Sequence, residues 1–385
     1  MKKLMLTTAL ASLITSGAIA QTTITGEGRV SYKTLSMDKN TTNIGTKNTQ
    51  YGFGAEQQIN IQTKGKLNLG GLDYAAGFSI ENDGEQQTSL FNENTYMDLT
   101  NASSGTTISF SRDHIQRSDS DFSATNLVGF NQAELSAKGS STNASNTYGG
   151  THFLSTIGAG PGQNFGAAIL QKTPFGTFSY NYVPTNGQDN TGAAGTTAAT
   201  SVNSLSTLGN SEYVNENTTS AYEVGFLGDL GVKGLTAHYF QNKNSDYVVA
   251  TNTVKAEGKN YGIKYNFGQF TVAANKKLHQ AESVARNTTT AAVGEISEKA
   301  FAAAYAVNKD LSVGVLVAKA DRPGNTHASA NAMQASGATQ TLKAINIGYN
   351  LGPVALAAAY ATNDDAQGAP GADDKQFMIR LIGAF

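Results

Sequence analysis

Strict alternation of apolar and polar side chains, in segments about ten residues long, recurs from one end of this sequence to the other. Successive side chains of an extended strand point to opposite faces, so each segment has one apolar and one polar face. DKQFMIRLIGAF sets Phe377, Ile379, Leu381, Gly383 and Phe385 against Gln376, Met378 and Arg380. NYGIKYNFG sets Tyr261, Ile263, Tyr265 and Phe267 against Lys264 and Asn266. LSVGVLVAK aligns Leu311, Val313, Val315 and Val317 against Ser312 and Gly314, and GLDYAAGFSIEN aligns Leu72, Tyr74, Ala76, Phe78 and Ile80 against Asp73, Ser79 and Glu81. A tilted strand needs about ten residues to cross a bilayer, and past the N-terminus no apolar run reaches the ~20 residues of a spanning helix.

The connectors alternate in length. Short ones at 68–71, 102–105, 173–176, 230–234, 267–269, 308–310 and 350–353 carry Gly, Asn and Pro, the residues of tight turns. Long polar ones fall at 37–55, 83–92, 115–162, 184–218, 244–257, 280–295, 322–339 and 364–374. Between them lie sixteen expected strands: 22–36, 56–68, 72–82, 92–100, 106–114, 163–172, 175–183, 219–229, 234–243, 258–267, 269–279, 296–307, 311–320, 340–351, 353–363 and 375–385. The fold class is therefore all-β, an antiparallel up-and-down sheet with every long loop on one side and both termini on the other. In lipid an open edge leaves backbone N–H and C=O groups unpaired, so such a sheet must close into a transmembrane barrel. About sixteen strands enclose more space than side chains fill, which leaves an aqueous lumen. The inward faces read as Ser, Thr, Asn, Gln, Gly and charges, as water requires.

The first twenty residues, MKKLMLTTALASLITSGAIA, have the form of an export signal: Lys2 and Lys3, an apolar stretch from Leu4 to Thr15, and a small-x-small site at Ala18–Ala20. The division expected is a signal peptide at 1–20 and a barrel domain at 21–385. Without the leader, 25 basic residues face 29 acidic ones, a net charge of −4 that argues against nucleic acid as a partner. There is no cysteine, which excludes disulfides, thiol catalysis and Cys-zinc sites. Low charge with abundant Gly, Asn and Thr would also suit a secreted or surface-displayed adhesin or solenoid, but no fixed repeat period marks one.

Four stretches carry a resemblance to the Gram-negative general porins across essentially the whole chain after the leader. ITGEGRVSYK (24–33) resembles their glycine-containing first strand, and NLGGLDYAAGFSIEND (68–83) their first periplasmic turn and third strand. SGTTISFSRD (104–113) resembles the strand leading into the third loop, and the C-terminal Phe385, preceded by alternating Phe377, Ile379 and Leu381, resembles the family's assembly signal. The PEFG-type third-loop motif of some enteric porins is absent, and Gly383 stands where an aromatic is common. The resemblance implies an outer-membrane homotrimer of barrels, each a water-filled channel for passive diffusion of ions and small hydrophilic solutes. It implies a third loop, here 115–162, folded into the lumen. It also implies partners in the lipid bilayer, lipopolysaccharide and the outer-membrane assembly machinery. A substrate-biased channel on the same fold is the nearest alternative.

In that family, loop acids face basic wall residues at the constriction. The matching acids are Asp113, Asp119, Asp121 and Glu134; by parity Arg29, Lys64 and Arg380 point inward on strands that adjoin once the barrel closes, as one basic strip. Lys264 and Lys277 also point inward, and so do Glu27, Asp73, Glu81 and Asp98, which makes the wall mixed. His114, His152, His238, His279 and His327 show no metal-ligand spacing, so no metal or cofactor is expected. Asp119 with Asp121, and Asp364, Asp365, Asp373 and Asp374, could bind Ca²⁺ in loops; neither matches an EF-hand loop, and solvated loop acids are the simpler reading. No nucleophile elbow, P-loop or dinucleotide fingerprint occurs, which argues against an enzyme. The inward aromatics Tyr96 and Phe240 stand apart and form no sugar-stacking row.

Overall fold

The structure, a computed structural model, describes residues 21–37, 48–67, 69–82, 91–112, 165–183, 221–244, 247–249, 252–254, 256–283, 292–321, 339–365 and 373–384. The strands are β1 (Gln21–Met37), β2 (Asn48–Lys66), β3 (Leu72–Asn82), β4 (Phe91–Asn101), β5 (Thr106–Arg112) and β6 (Phe165–Thr173). There follow β7 (Gly176–Val183), β8 (Ala221–Gly228), β9 (Leu235–Asn244), β10 (Tyr247–Val249), β11 (Asn252–Val254) and β12 (Ala256–Phe267). The last six are β13 (Phe270–Ser283), β14 (Ala292–Ala306), β15 (Leu311–Asp321), β16 (Thr339–Asn350), β17 (Val354–Asp364) and β18 (Asp374–Ala384). Sixteen of these pair antiparallel with their neighbours in one closed barrel, and β1 seals against β18.

All sixteen expected strands are present, and the larger differences lie at their long-connector ends. β2 starts at Asn48 rather than 56, because Tyr51, Phe53 and Ala55 continue its outward face and pair with β1. β13 and β14 likewise extend to Ser283 and back to Ala292. The stretch 244–257, expected as a long polar connector, carries the separate β10–β11 hairpin.

The outward faces hold the large apolar side chains: Ile263 is 53% exposed and Val315 49%, while inward Leu316 is 1% exposed. Near the short turns, rings of adjoining strands meet in a belt, with Tyr265–Phe267, Phe267–Phe270 and Phe270–Tyr305 centroids 5.7, 5.6 and 4.7 Å apart. Such a girdle marks a membrane interface. The turns themselves are held by side chains that mimic a backbone carbonyl. Asn101 Oδ1 accepts from the Ser103 N–H at 3.1 Å, Asn308 Oδ1 from Asp310 at 2.8 Å, and Asn350 Oδ1 from Gly352 at 2.9 Å. At Gly176, where φ is 150°, a Cβ would stand 2.5 Å from the Leu227 carbonyl oxygen, so only glycine fits that turn.

Candidate functional site

The inner wall divides into three arcs of different chemistry. On β1–β5 it is charged. Arg29 Nη1 lies 2.8 Å from Glu56 on β2, its register partner, and Arg29 Nε also meets Glu27; all three side chains are about a third exposed or less. Glu81 is buried nearby on β3, and Lys66 pairs with Asp73 at 3.1 Å beside the first short turn. The expected basic strip does not form. Lys64 stands opposite Gln21, eight residues along β1 from Arg29 and so about 27 Å away. Arg380 does adjoin, opposite Ser31, but Arg29 is already engaged by two carboxylates.

From β7 to β14 the inner wall is polar and buried. Asn181 Nδ2 donates to Glu223 Oε1 at 3.0 Å, and His238 Nε2 lies 3.0 Å from Asn260 Oδ1. Asn260 stands opposite Lys277, and Lys277 stands opposite Glu298; Lys277 and Glu298 are both 0% exposed. A charge removed from water is tolerated only with a partner, and the register sets these two opposite, buried charges on adjoining strands. The two inward aromatics are laid flat on glycines. A Cβ at Gly225 would come 2.4 Å from the Phe240 ring and 2.5 Å from Ser179 Oγ, and one at Gly77 would come 2.9 Å from the Tyr96 ring. Tyr96 also accepts a hydrogen bond from Gln62 Nε2. Seated this way, neither ring projects far into the lumen.

The third arc corrects the expectation of a uniformly polar interior. On β14–β18 the inward side chains include a buried apolar cluster of Ala300, Ala302, Leu316, Ala318, Leu342, Ala344, Ala357, Ala359, Ala361 and Met378. Polar groups border it: Gln340 Nε2 donates to Asn363 Oδ1 at 3.0 Å, and Arg380 lies at the seam with β1. Phe377, Ile379 and Leu381 face outward on β18 as expected, whereas Phe385 lies outside the described residues. So do Asp113, Asp119, Asp121 and Glu134, and with them the third loop and the leader. Of the C-terminal acids, Asp364 is held by Lys343 at 3.0 Å, and Asp373 accepts from the Asp365 N–H at 3.1 Å.

A closed wall of sixteen antiparallel strands, apolar outside and largely hydrogen-bonding inside, is the geometry of a membrane channel. The sequence model of the Gram-negative porin family matches residues 7–381. The chain is a Gram-negative porin. Solved structures agree on the fold. The anion-selective porin from Comamonas acidovorans superposes with a TM-score of 0.60 at 13% identity, over 95% of this chain and 100% of that one. OmpT of Vibrio cholerae gives 0.56 at 12%, over 95% and 98%, and Salmonella typhi OmpF in complex with daunomycin gives 0.57 at 14%, over 94% and 97%. No curated protein sequence matches the chain. Family and fold together make this porin an outer-membrane channel for passive diffusion of solutes.

Sequence reasoning missed Glu56, Glu223 and Glu298 as wall charges of this porin. Parity shows that each points inward, but only the register shows what it faces. Lys277 and Glu298 are 21 residues apart in sequence, across a connector whose length does not fix the pairing.

Proposed function

We propose that this porin is a general diffusion channel for ions and small hydrophilic solutes, working as a homotrimer, rather than a channel shaped for one substrate. The observation that carries this reading is the mixed sign of the inner wall. Arg29, Lys64 and Lys264 share it with Glu27, Glu56 and Asp73, all with some exposure, and among the described residues no row of aromatic rings leads through it. Charges of both signs near a narrow passage bias which ion enters without selecting one solute. The narrowest point in this reading lies where Asp113, Asp119, Asp121 and Glu134 of the third long connector approach the wall. Residues 1–20 direct export and are removed, and Phe385 with Phe377, Ile379 and Leu381 presents the end that the assembly machinery binds.

Planar-bilayer conductance of the purified protein tests this. Expected are conductance proportional to salt concentration, unsaturated solute flux, and a reversal potential that moves toward anion preference when Asp119 and Asp121 are both changed to Asn. Flux that saturates for one solute at millimolar concentration would favour the substrate-biased alternative. An unchanged reversal potential would place the narrowest point elsewhere.

A further inference from the structure

Toward the short-turn side, the inner wall of β2–β5 carries two opposite charges that face the lumen without meeting. Lys64 on β2 stands opposite Ala75 on β3, and Ala75 stands opposite Asp98 on β4. Two strand spacings, about 10 Å, separate the backbones of Lys64 and Asp98, with only a methyl group between them. Among the described residues neither charge has an ion-pair partner, whereas Lys66 and Asp73, the next inward pair toward the turn, meet at 3.1 Å. Lys64 is exposed and Asp98 half-buried, so water in the lumen reaches both.

The polar side chains around them engage one another. The Thr100 and Thr107 hydroxyls share a hydrogen bond at 2.9 Å, and Gln62 Nε2 donates to the Tyr96 hydroxyl. Left over are the Lys64 ammonium, Asp98 Oδ1 and Ser111 Oγ, and the last two are enclosed in the wall without a hydrogen bond. Ser111, 0% exposed, is diagonal to Asp98: it stands opposite Tyr96, two residues along β5 from the Ser109 that faces Asp98. With one oxygen shut away from water and given no donor, the Asp98 carboxylate is under-solvated, which strengthens its pull on a cationic donor arriving from the lumen.

We propose that Lys64 and Asp98 form a wall site for zwitterionic solutes of amino-acid size, with the solute's carboxylate on Lys64 and its ammonium group on Asp98. In an α-amino acid the two charges are about 3 Å apart. With a charge-assisted hydrogen bond of about 2.8 Å at each end, such a solute spans about 9 Å, close to the gap left open over Ala75. A plain anion gains Lys64 but is repelled by Asp98, and a plain cation meets the reverse. Only a solute that carries both charges satisfies both groups, and Ser111 Oγ lies beside Asp98 as a further acceptor for the ammonium group. The site rests on the reading of the lumen as a water-filled diffusion channel, and deepens it by naming a class of solute that the wall holds. Conduction requires that binding be weak enough for the solute to leave, so the site is a stepping place rather than a filter for one substrate.

The test titrates three probes against the full porin in neutral detergent, with binding read by saturation-transfer NMR. They are L-alanine, N-acetyl-L-alanine, which keeps only the carboxylate, and L-alaninamide, which keeps only the ammonium group. Wild type should bind L-alanine at least fivefold more tightly than either blocked form. K64Q should lose the preference over L-alaninamide, and D98N the preference over N-acetyl-L-alanine. A75L keeps both charges but fills the space between them, and should weaken L-alanine binding at least fivefold. Equal binding of the three probes by wild type would overturn the proposal. So would undiminished L-alanine binding in K64Q, D98N or A75L. N-acetyl-L-alanine bound as tightly as L-alanine would overturn it too, leaving a simple anion site at Lys64. Conductance of the wild-type protein in potassium chloride is measured on the same preparation. Its absence would sink the channel reading, whereas failure of the site alone would show only in the titrations.

Discussion

Arg29 and Lys277 are both lumen-facing cations with a carboxylate on the adjoining strand, yet they belong to different physical regimes. Arg29, on the charged arc, keeps about a quarter of its side chain in contact with water and meets Glu27 and Glu56. Lys277, at the border of the apolar arc, has no exposure and stands across from an equally buried Glu298. In water an ion pair contributes little to stability, because each partner is well solvated without the other. Out of water, removing one partner strands a charge. Cations on the same barrel face therefore carry different expectations, the wet cluster acting on the field in the lumen and the buried lysine, opposite its buried carboxylate, on the stability of the wall.

That contrast breaks most visibly at Lys277. Changing Lys277 to Met should cost about 3–5 kcal/mol in urea unfolding of the barrel from lipid vesicles. Combining it with Glu298→Leu should recover most of the loss, and a single-variant cost below that of an exposed pair would erase the distinction. The outer face gives the next largest effect. Ile263→Arg or Val315→Arg should cost about 2–4 kcal/mol near the bilayer midplane, whereas inward Ser312→Arg should be tolerated and change conductance instead. Equal costs would overturn the in–out assignment. On the inner wall, Gly225→Ala should cost about 1–3 kcal/mol, because the added carbon meets the Phe240 ring and Ser179. Gly28→Ala, with nothing within 4 Å of its Cβ position, should be nearly silent in the same assay. The smallest stability effect belongs to Arg29→Gln, under about 1 kcal/mol. Its signature is electrical: the reversal potential in a salt gradient should move toward cations, and further when Arg380 is also changed to Gln.

What lipid dictates could be read from the chain. The alternation around Ile263, Val315 and Leu381 follows from the need to present apolar side chains outward, and the turns at Asn101, Asn308 and Asn350 follow from local chemistry. What faces the lumen was less legible, because water tolerates almost anything there. Ala357, Ala359 and Ala361 alternate with Ala358 and Tyr360, and alanine is too small to announce a face. The failed strip of Arg29, Lys64 and Arg380 shows the other gap. Parity gives the side of the wall, but height along the strand depends on register, and Lys64 belongs near the first short turn. The β10–β11 hairpin escaped because its three-residue strands sit within a polar stretch.

The seam between β1 and β18 imposes an order in time. Glu27 is paired with Ala384, a partner 357 residues later in the chain, and every residue of β1 from Glu27 to Met37 has such a distant mate. One edge of the first strand has no hydrogen-bonding partner until β18 has been made. A partial barrel would carry two raw edges into the membrane, where each unpaired group is expensive. The barrel therefore has no useful half-built state, and the strands before β18 have to be kept soluble and uncommitted until it exists. Closure is the last contact made and the one with the longest loop to tie, which marks it as the step where folding is slow and where a damaged C-terminus would be detected.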